Sequence, residues 1–206
     1  MKIGVIDYGM GNLFSVEQAL KRLNVEVIVT NDKAELETAD AYVLPGVGAF
    51  PDAMKRLKET GLIDFIRNTE KPLLGICLGM QLLFEESDEV AVTEGLGIFK
   101  GRIQRFEGVS RIPHMGWNDL TLQHTPSWLD RDNLPAARHV YFVHSFYASG
   151  LDEKERVASA DYEHIQVPGI VAKGNFTGMQ FHPEKSGPFG RHLLMAWAEG
   201  VKEGVC

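Results

Sequence analysis

Apolar residues in the first half of the chain fall into short runs whose period changes from one run to the next. Lys2 to Asp7 is a compact β-type run. Tyr8-Gly9-Met10-Gly11 then turns the chain into a segment where Leu13, Val16, Ala19, Leu20 and Leu23 recur at helical spacing, with Asn12 placed to cap it. Val25 to Thr30 reads as a second strand and Ala41 to Leu44 as a third, with a polar stretch of weak helical character between them. A helix is expected from near Pro51 or Asp52 and a shorter one over Leu62 to Asn68. The run from Leu73 to Phe84 is too long for one strand and reads as strand, sharp turn, helix. Strand alternating with helix predicts a parallel sheet.

After the polar break Glu85-Glu86-Ser87-Asp88 the pattern changes. Short strand-like segments follow near Ile98 to Phe106, Trp117 to Leu122, His139 to Phe146, Arg156 to Asp161, Ile170 to Lys173 and Phe176 to Phe181, separated by Gly, Pro and charged turns. Antiparallel additions to the sheet are therefore expected in this half. A last helix is predicted over Gly190 to Lys202, with Leu193, Leu194 and Trp197 facing inward. Residues 1–206 read as a single α/β domain.

Composition narrows the function classes. Lys plus Arg number 21 against 28 Asp plus Glu, a formal net charge of -7 with no basic run, so attraction to nucleic acid or anionic lipid is not expected. No apolar run approaches the roughly 20 residues that span a bilayer. The only cysteines are Cys77 and Cys206, and the chain starts on a strand pattern rather than an export signal, so a reduced, cytoplasmic setting is expected. Cys206 is expected to be exposed in the tail and incidental.

The spacing Gly75-x-Cys77-x-Gly79 has the form of a nucleophile elbow with Cys in place of Ser, the flanking glycines allowing a tight turn. A buried cysteine in a glycine-containing core strand is the competing reading. Pro45-Gly46-Val47-Gly48, after the third strand, leaves backbone N–H groups free to approach a ligand, as an oxyanion hole requires; an ordinary strand-to-helix loop has the same composition. His182 ends the run Phe176 to Phe181 and is followed by Pro183 and Glu184. In extended structure residues two apart point to one side, so Glu184 can reach the imidazole and fix its tautomer. Gln81, one turn beyond Cys77, falls on the same helix face. Gly9-Met10-Gly11 with Asp32 partly imitates a dinucleotide fingerprint, but Phe14 stands where close helix packing needs glycine.

Cys77, then His182-Pro183-Glu184 near the end of the chain, and Pro45 to Gly48 before them, occur in an order that resembles the triad-type (class I) glutamine amidotransferase family. Asp7-Tyr8-Gly9-Met10-Gly11-Asn12-Leu13 and Pro113-His114-Met115-Gly116-Trp117-Asn118 look like its imidazole glycerol phosphate synthase branch, of histidine biosynthesis. That resemblance implies a flavodoxin-like, open, mostly parallel sheet flanked by helices. It implies hydrolysis of L-glutamine by Cys77, His182 and Glu184, with Val47 and Leu78 as oxyanion donors and Gly46, Gly48, Gln81, Ser145 and Phe146 around the substrate. It implies a heterodimer with a cyclase subunit, contacted through Asn12, Trp117, Tyr141 and Lys185, which uses the ammonia to make imidazole glycerol phosphate and AICAR from PRFAR. No cofactor or metal is implied. A glutaminase subunit of another pathway, a cysteine hydrolase on a related fold, and a non-catalytic subunit are the alternatives.

Overall fold

A computed structural model describes residues 1–206. Its first half contains strands β1 (Lys2–Ile6), β2 (Glu26–Thr30), β3 (Ala41–Leu44) and β4 (Leu73–Ile76), all parallel. Between and after them lie helices α1 (Leu13–Lys21), α2 (Lys33–Glu37), α3 (Phe50–Glu59), α4 (Ile63–Arg67) and α5 (Leu78–Leu82). The Asn12 side chain caps α1 by accepting the Ser15 N–H at 3.2 Å, as expected. Asp32 does the same for α2 at 3.0 Å through Glu35, so the carboxylate of the dinucleotide-like pattern is a helix cap.

The second half adds β5 (Phe84–Ser87), β6 (Thr93–Glu94), β7 (Phe99–Arg105), β8 (His114–Asp119), β9 (Thr121–Leu122), β10 (His139–His144), β11 (Phe146–Ser149), β12 (Arg156–Tyr162), β13 (Ile165–Lys173), β14 (Phe176–Met179) and helix α6 (Gly187–Glu203). The main sheet has the order β2-β1-β3-β4-β14-β13-β12-β9. Its first five strands are parallel, the flavodoxin-like arrangement, and β13, β12 and β9 extend it antiparallel. The remaining strands form two separate small sheets, β10-β8 and β11-β7-β5-β6, rather than joining the main one.

Side chains alternate between the faces of the sheet. Val43 and Leu74 face α1 and α6, where Val16, Leu20, Leu193, Leu194 and Trp197 complete one core. Leu44 and Leu73 face the other core with Leu36, Phe50, Leu57 and Ile66. With both faces covered, β3 and β4 are apolar throughout, which is why they read as continuous runs.

Three expectations need correction. The helix after Cys77 stops at Leu82, and Phe84–Ser87 is a strand: the Leu82, Leu83 and Phe84 carbonyls accept N–H groups of Leu96, Ile98 and Gly97, and the Phe84 ring stacks on Phe99 at 5.4 Å. Pairing with distant residues overrides helical continuation. The expected strand His139 to Phe146 breaks at Ser145, so its two parts enter different sheets. Cys206 is only half-exposed: its thiol donates to the Trp197 carbonyl at 3.4 Å, and burial pushes its pKa up to about 12.

Candidate active site

β3, β4 and β14 are neighbours, and their carboxyl ends carry Pro45, Cys77 and the turn leading to His182. Ligands of open α/β sheets bind at such strand ends. The Cys77 N–H donates to the Met179 carbonyl at 2.8 Å, aligning the two chain exits. Cys77 itself has φ 53° and ψ -113°, a costly conformation for a residue with a Cβ. The flanking glycines serve another purpose than the one expected: neither has positive φ, and a Cβ on Gly79 would lie 1.8 Å from the Leu44 carbonyl oxygen. Gly79 lets α5 lie close against β3, Gly75 lets it fold back on β4, and the strain falls on the cysteine.

His182 is buried and receives Cys77 on one side and Glu184 on the other. Glu184 Oε1 accepts from Nδ1 at 2.8 Å, leaving Nε2 for the thiol. The geometry differs from the extended form expected, because residues 183–185 make a 3₁₀ turn that folds the carboxylate back onto the ring. Burial opposes charge on His182, but the hydrogen bonds and negative charge of Cys77 and Glu184 outweigh it and raise its pKa to about 10. The His182 N–H donates to the Tyr141 carbonyl at 3.1 Å; the Ser186 hydroxyl donates to the His182 carbonyl at 2.6 Å and accepts from the Tyr141 N–H at 2.9 Å. The histidine backbone is thereby clamped to β10.

The loop after β3 is held from both sides. Tyr8 Oη donates to the Pro45 carbonyl at 2.9 Å, and the Leu78 N–H donates to the Gly46 carbonyl at 3.3 Å. In a trans peptide the C=O and the next N–H point in opposite directions, so Val47 aims its N–H away from Leu78. The two donors expected to converge on an oxyanion do not do so in this conformation.

A cleft of about 380 Å³ is lined by Val47, Gly48, Cys77, Leu78, Gln81, Glu89, Pro113, Val143, His144, Ser145, Phe146 and His182. Gly46 is buried behind it against Tyr8, Leu78 and Gly79. The volume lies in the range of small-molecule sites. A cysteine and a buried charged imidazole held by a carboxylate in such a cleft suit acyl transfer from a small amide.

The family model "Glutamine amidotransferase class-I" matches residues 4–199. The chain belongs to that family. Curated relatives of this amidotransferase include "Imidazole glycerol phosphate synthase subunit HisH" of Geobacillus sp. (strain WCH70), 50% identical and covering 97% of each chain. The protein of the same name from Geobacillus thermodenitrificans (strain NG80-2) is 52% identical over 93% of this chain and 92% of its own. Among solved structures, "Crystal structure of glutamine amidotransferase" shares the fold at TM-score 0.75 and 24% identity, covering 97% of this chain and 98% of that one. The amidotransferase is a glutamine-hydrolysing enzyme of this class.

Two polar cleft residues of the amidotransferase were not foreseen. Glu89 sits in a polar loop with no periodic pattern; its Oε2 accepts the Phe50 N–H at 2.7 Å from across 39 residues. His144 was hidden inside a strand-like run, its signal being only that it precedes Ser145 and Phe146. Away from the cleft, Trp117 and Tyr141 are cross-strand neighbours in β8 and β10, ring centroids 6.0 Å apart, with Trp117 59% exposed. Lys185 is exposed, while Asn12 is partly buried as a cap. No cluster of three or more metal-ligating side chains occurs, and no helix is long and apolar enough to cross a membrane.

Proposed function

We propose that the chain is the glutaminase subunit of an imidazole glycerol phosphate synthase, hydrolysing L-glutamine and handing ammonia to a cyclase subunit. The observation that carries the chemistry is the convergence of Cys77, His182 and Glu184 at two adjacent strand ends. Relatives at about half identity over nearly the whole chain favour this pathway over other glutaminases.

In this reading Cys77 attacks the glutamine carboxamide as thiolate, paired with the His182 imidazolium. His182 gives its proton to the departing nitrogen, and ammonia leaves a glutamyl thioester. His182, now neutral, takes a proton from water as it attacks the thioester; collapse of the adduct expels the Cys77 thiolate, glutamate leaves with its carboxyl proton lost to solvent, and the thiolate and imidazolium are restored. Glu184 keeps the imidazole oriented and charged. Leu78 and Val47 donate to the oxyanion once the peptide joining Gly46 and Val47 has rotated, which frees the Leu78 N–H and turns the Val47 N–H inward. Gly48, Gln81, Ser145 and Phe146 line the substrate, with Gly46 supplying close backbone approach, and Glu89 offers a carboxylate for the α-ammonium.

The cyclase docks on the outer face of β8, where Met115 and Trp117 alternate to one side and are each 59% exposed. Tyr141 lies beneath Trp117, and α1, capped by Asn12, packs against the turn that bears Lys185. Docking beside Pro113 and Val47 at the cleft rim supports a partner that drives the peptide rotation.

Glutamate release by wild type and Cys77→Ala, each with and without the cyclase subunit and its ribonucleotide ligand, tests this reading. Activity is expected only in the ligand-bound complex, and none in Cys77→Ala, which still supports cyclisation from added ammonium salt. Undiminished turnover in Cys77→Ala would overturn it.

A further inference from the structure

The Phe146 carbonyl, on the cleft wall, accepts two hydrogen bonds: from His144 Nδ1 at 2.8 Å and from Gln81 Nε2 at 3.0 Å. A carbonyl has no proton to give, so each partner must present one. His144 therefore carries its proton on Nδ1 and accepts at Nε2. That nitrogen faces Nδ1 of His114 at 3.0 Å, so His114 donates there and accepts at its own Nε2, from the Asn118 amide at 3.3 Å. Asn118 spends its other amide proton on the Asp161 carbonyl at 2.9 Å. The proton order along His144, His114 and Asn118 follows from the two carbonyls at its ends.

Burial holds both imidazoles neutral, pushing His114 down to about 4 and His144 down to about 3, so each has one proton to place. His114 is further fixed between the Phe142 and Tyr162 rings, at 4.6 and 4.1 Å. On the other side of the carbonyl, Gln81 spends both amide protons, on Phe146 and on Gln180 Oε1 at 3.0 Å. Its Oε1 has no partner within the protein and is the acceptor left for a ligand in the cleft.

We propose that His144 is a positioning residue for glutamine: it holds the Phe146 carbonyl that orients the Gln81 carboxamide, and His114 fixes the tautomer in which it does so. The proposal deepens the glutaminase reading and rests on it. Loss of the His114 donor frees His144 to protonate Nε2 instead, which would set a lone pair against the Phe146 carbonyl.

Two substitutions of similar size separate positioning from packing. His144→Asn keeps an N–H donor at the Nδ1 position and gives up His114, whereas His144→Gln keeps a polar group toward His114 and gives up Phe146. Glutamate release by the assembled synthase, across a glutamine series, is expected to show KM within about threefold of wild type for His144→Asn and raised about tenfold or more for His144→Gln, with kcat little changed in both. His114→Asn, which retains a donor, and His114→Leu, which lacks one, should divide in the same way, and this second pair decides the matter if His144→Gln does not fold. Equal KM values within either folded pair would overturn the proposal. A wild-type assembly that releases no glutamate would instead sink the glutaminase reading, with its ammonium-dependent turnover showing that the assembly is intact.

Discussion

The Leu78 N–H donates to the Gly46 carbonyl at 3.3 Å, so the N–H next to Cys77, the first of the two proposed oxyanion donors, is occupied by the loop proposed to supply the second. In the proposed mechanism, opening the site and completing it are the same peptide rotation. Proline at position 47 has no N–H in any orientation. Val47→Pro is expected to lower kcat of the activated complex by about 10² to 10³ with KM nearly unchanged. Val47 is exposed, so the fold should survive, as a thermal melt would show. A kcat within a few-fold of wild type would remove Val47 from the oxyanion site.

Tyr8 anchors the same loop. Its hydroxyl is buried and bonded to the Pro45 carbonyl, and burial, reinforced by Cys77, raises its pKa far above the usual phenol value. Tyr8→Phe leaves that carbonyl unpaired and should cost about 1–3 kcal/mol of unfolding free energy, read from denaturant titration. An unchanged midpoint would show that the loop closes without the anchor.

Cys77 and Glu184 together keep His182 charged, so loss of Glu184 should be visible in pH dependence. With the His182 pKa raised to about 10, the stabilisation from its charged form is complete below about pH 6.5 and is lost as pH rises through about 10. Glu184→Gln removes the negative charge and keeps the shape. The alkaline limb of kcat should move to lower pH, and kcat at neutral pH should fall about 10² to 10⁴. A pH profile superimposable on wild type would exclude an electrostatic role.

Glu89 tests the proposed position of the substrate's amino end. Glu89→Gln retains an acceptor for the Phe50 N–H but not the charge. KM for glutamine is expected to rise about tenfold to a hundredfold while kcat holds. An unchanged KM would move the α-ammonium elsewhere in the cleft.

Much of this site could be read from the chain because its parts are local. Cys77 between two glycines, Pro45 to Gly48 after an apolar strand, and His182 two residues before Glu184 each mark themselves by spacing, and the buried parallel strands by unbroken apolar runs. Even there the local reason differed: Gly75 and Gly79 provide room for close packing rather than positive φ, and a 3₁₀ turn, not an extended strand, brings Glu184 to the imidazole.

What the sequence by itself determined is the set of reactive groups and the strand-and-helix alternation that presents them, because both depend on residues within a few positions of one another. Only the tertiary structure decided which donors are open, which carboxylate borders the cleft and where the second-half strands pair. Those depend on contacts across long stretches of chain: Leu78 with Gly46, Glu89 with Phe50, His144 with His114, Phe84 with Phe99. Such contacts leave no periodic trace, since a backbone carbonyl or a neutral imidazole satisfies its partner whatever the intervening residues are.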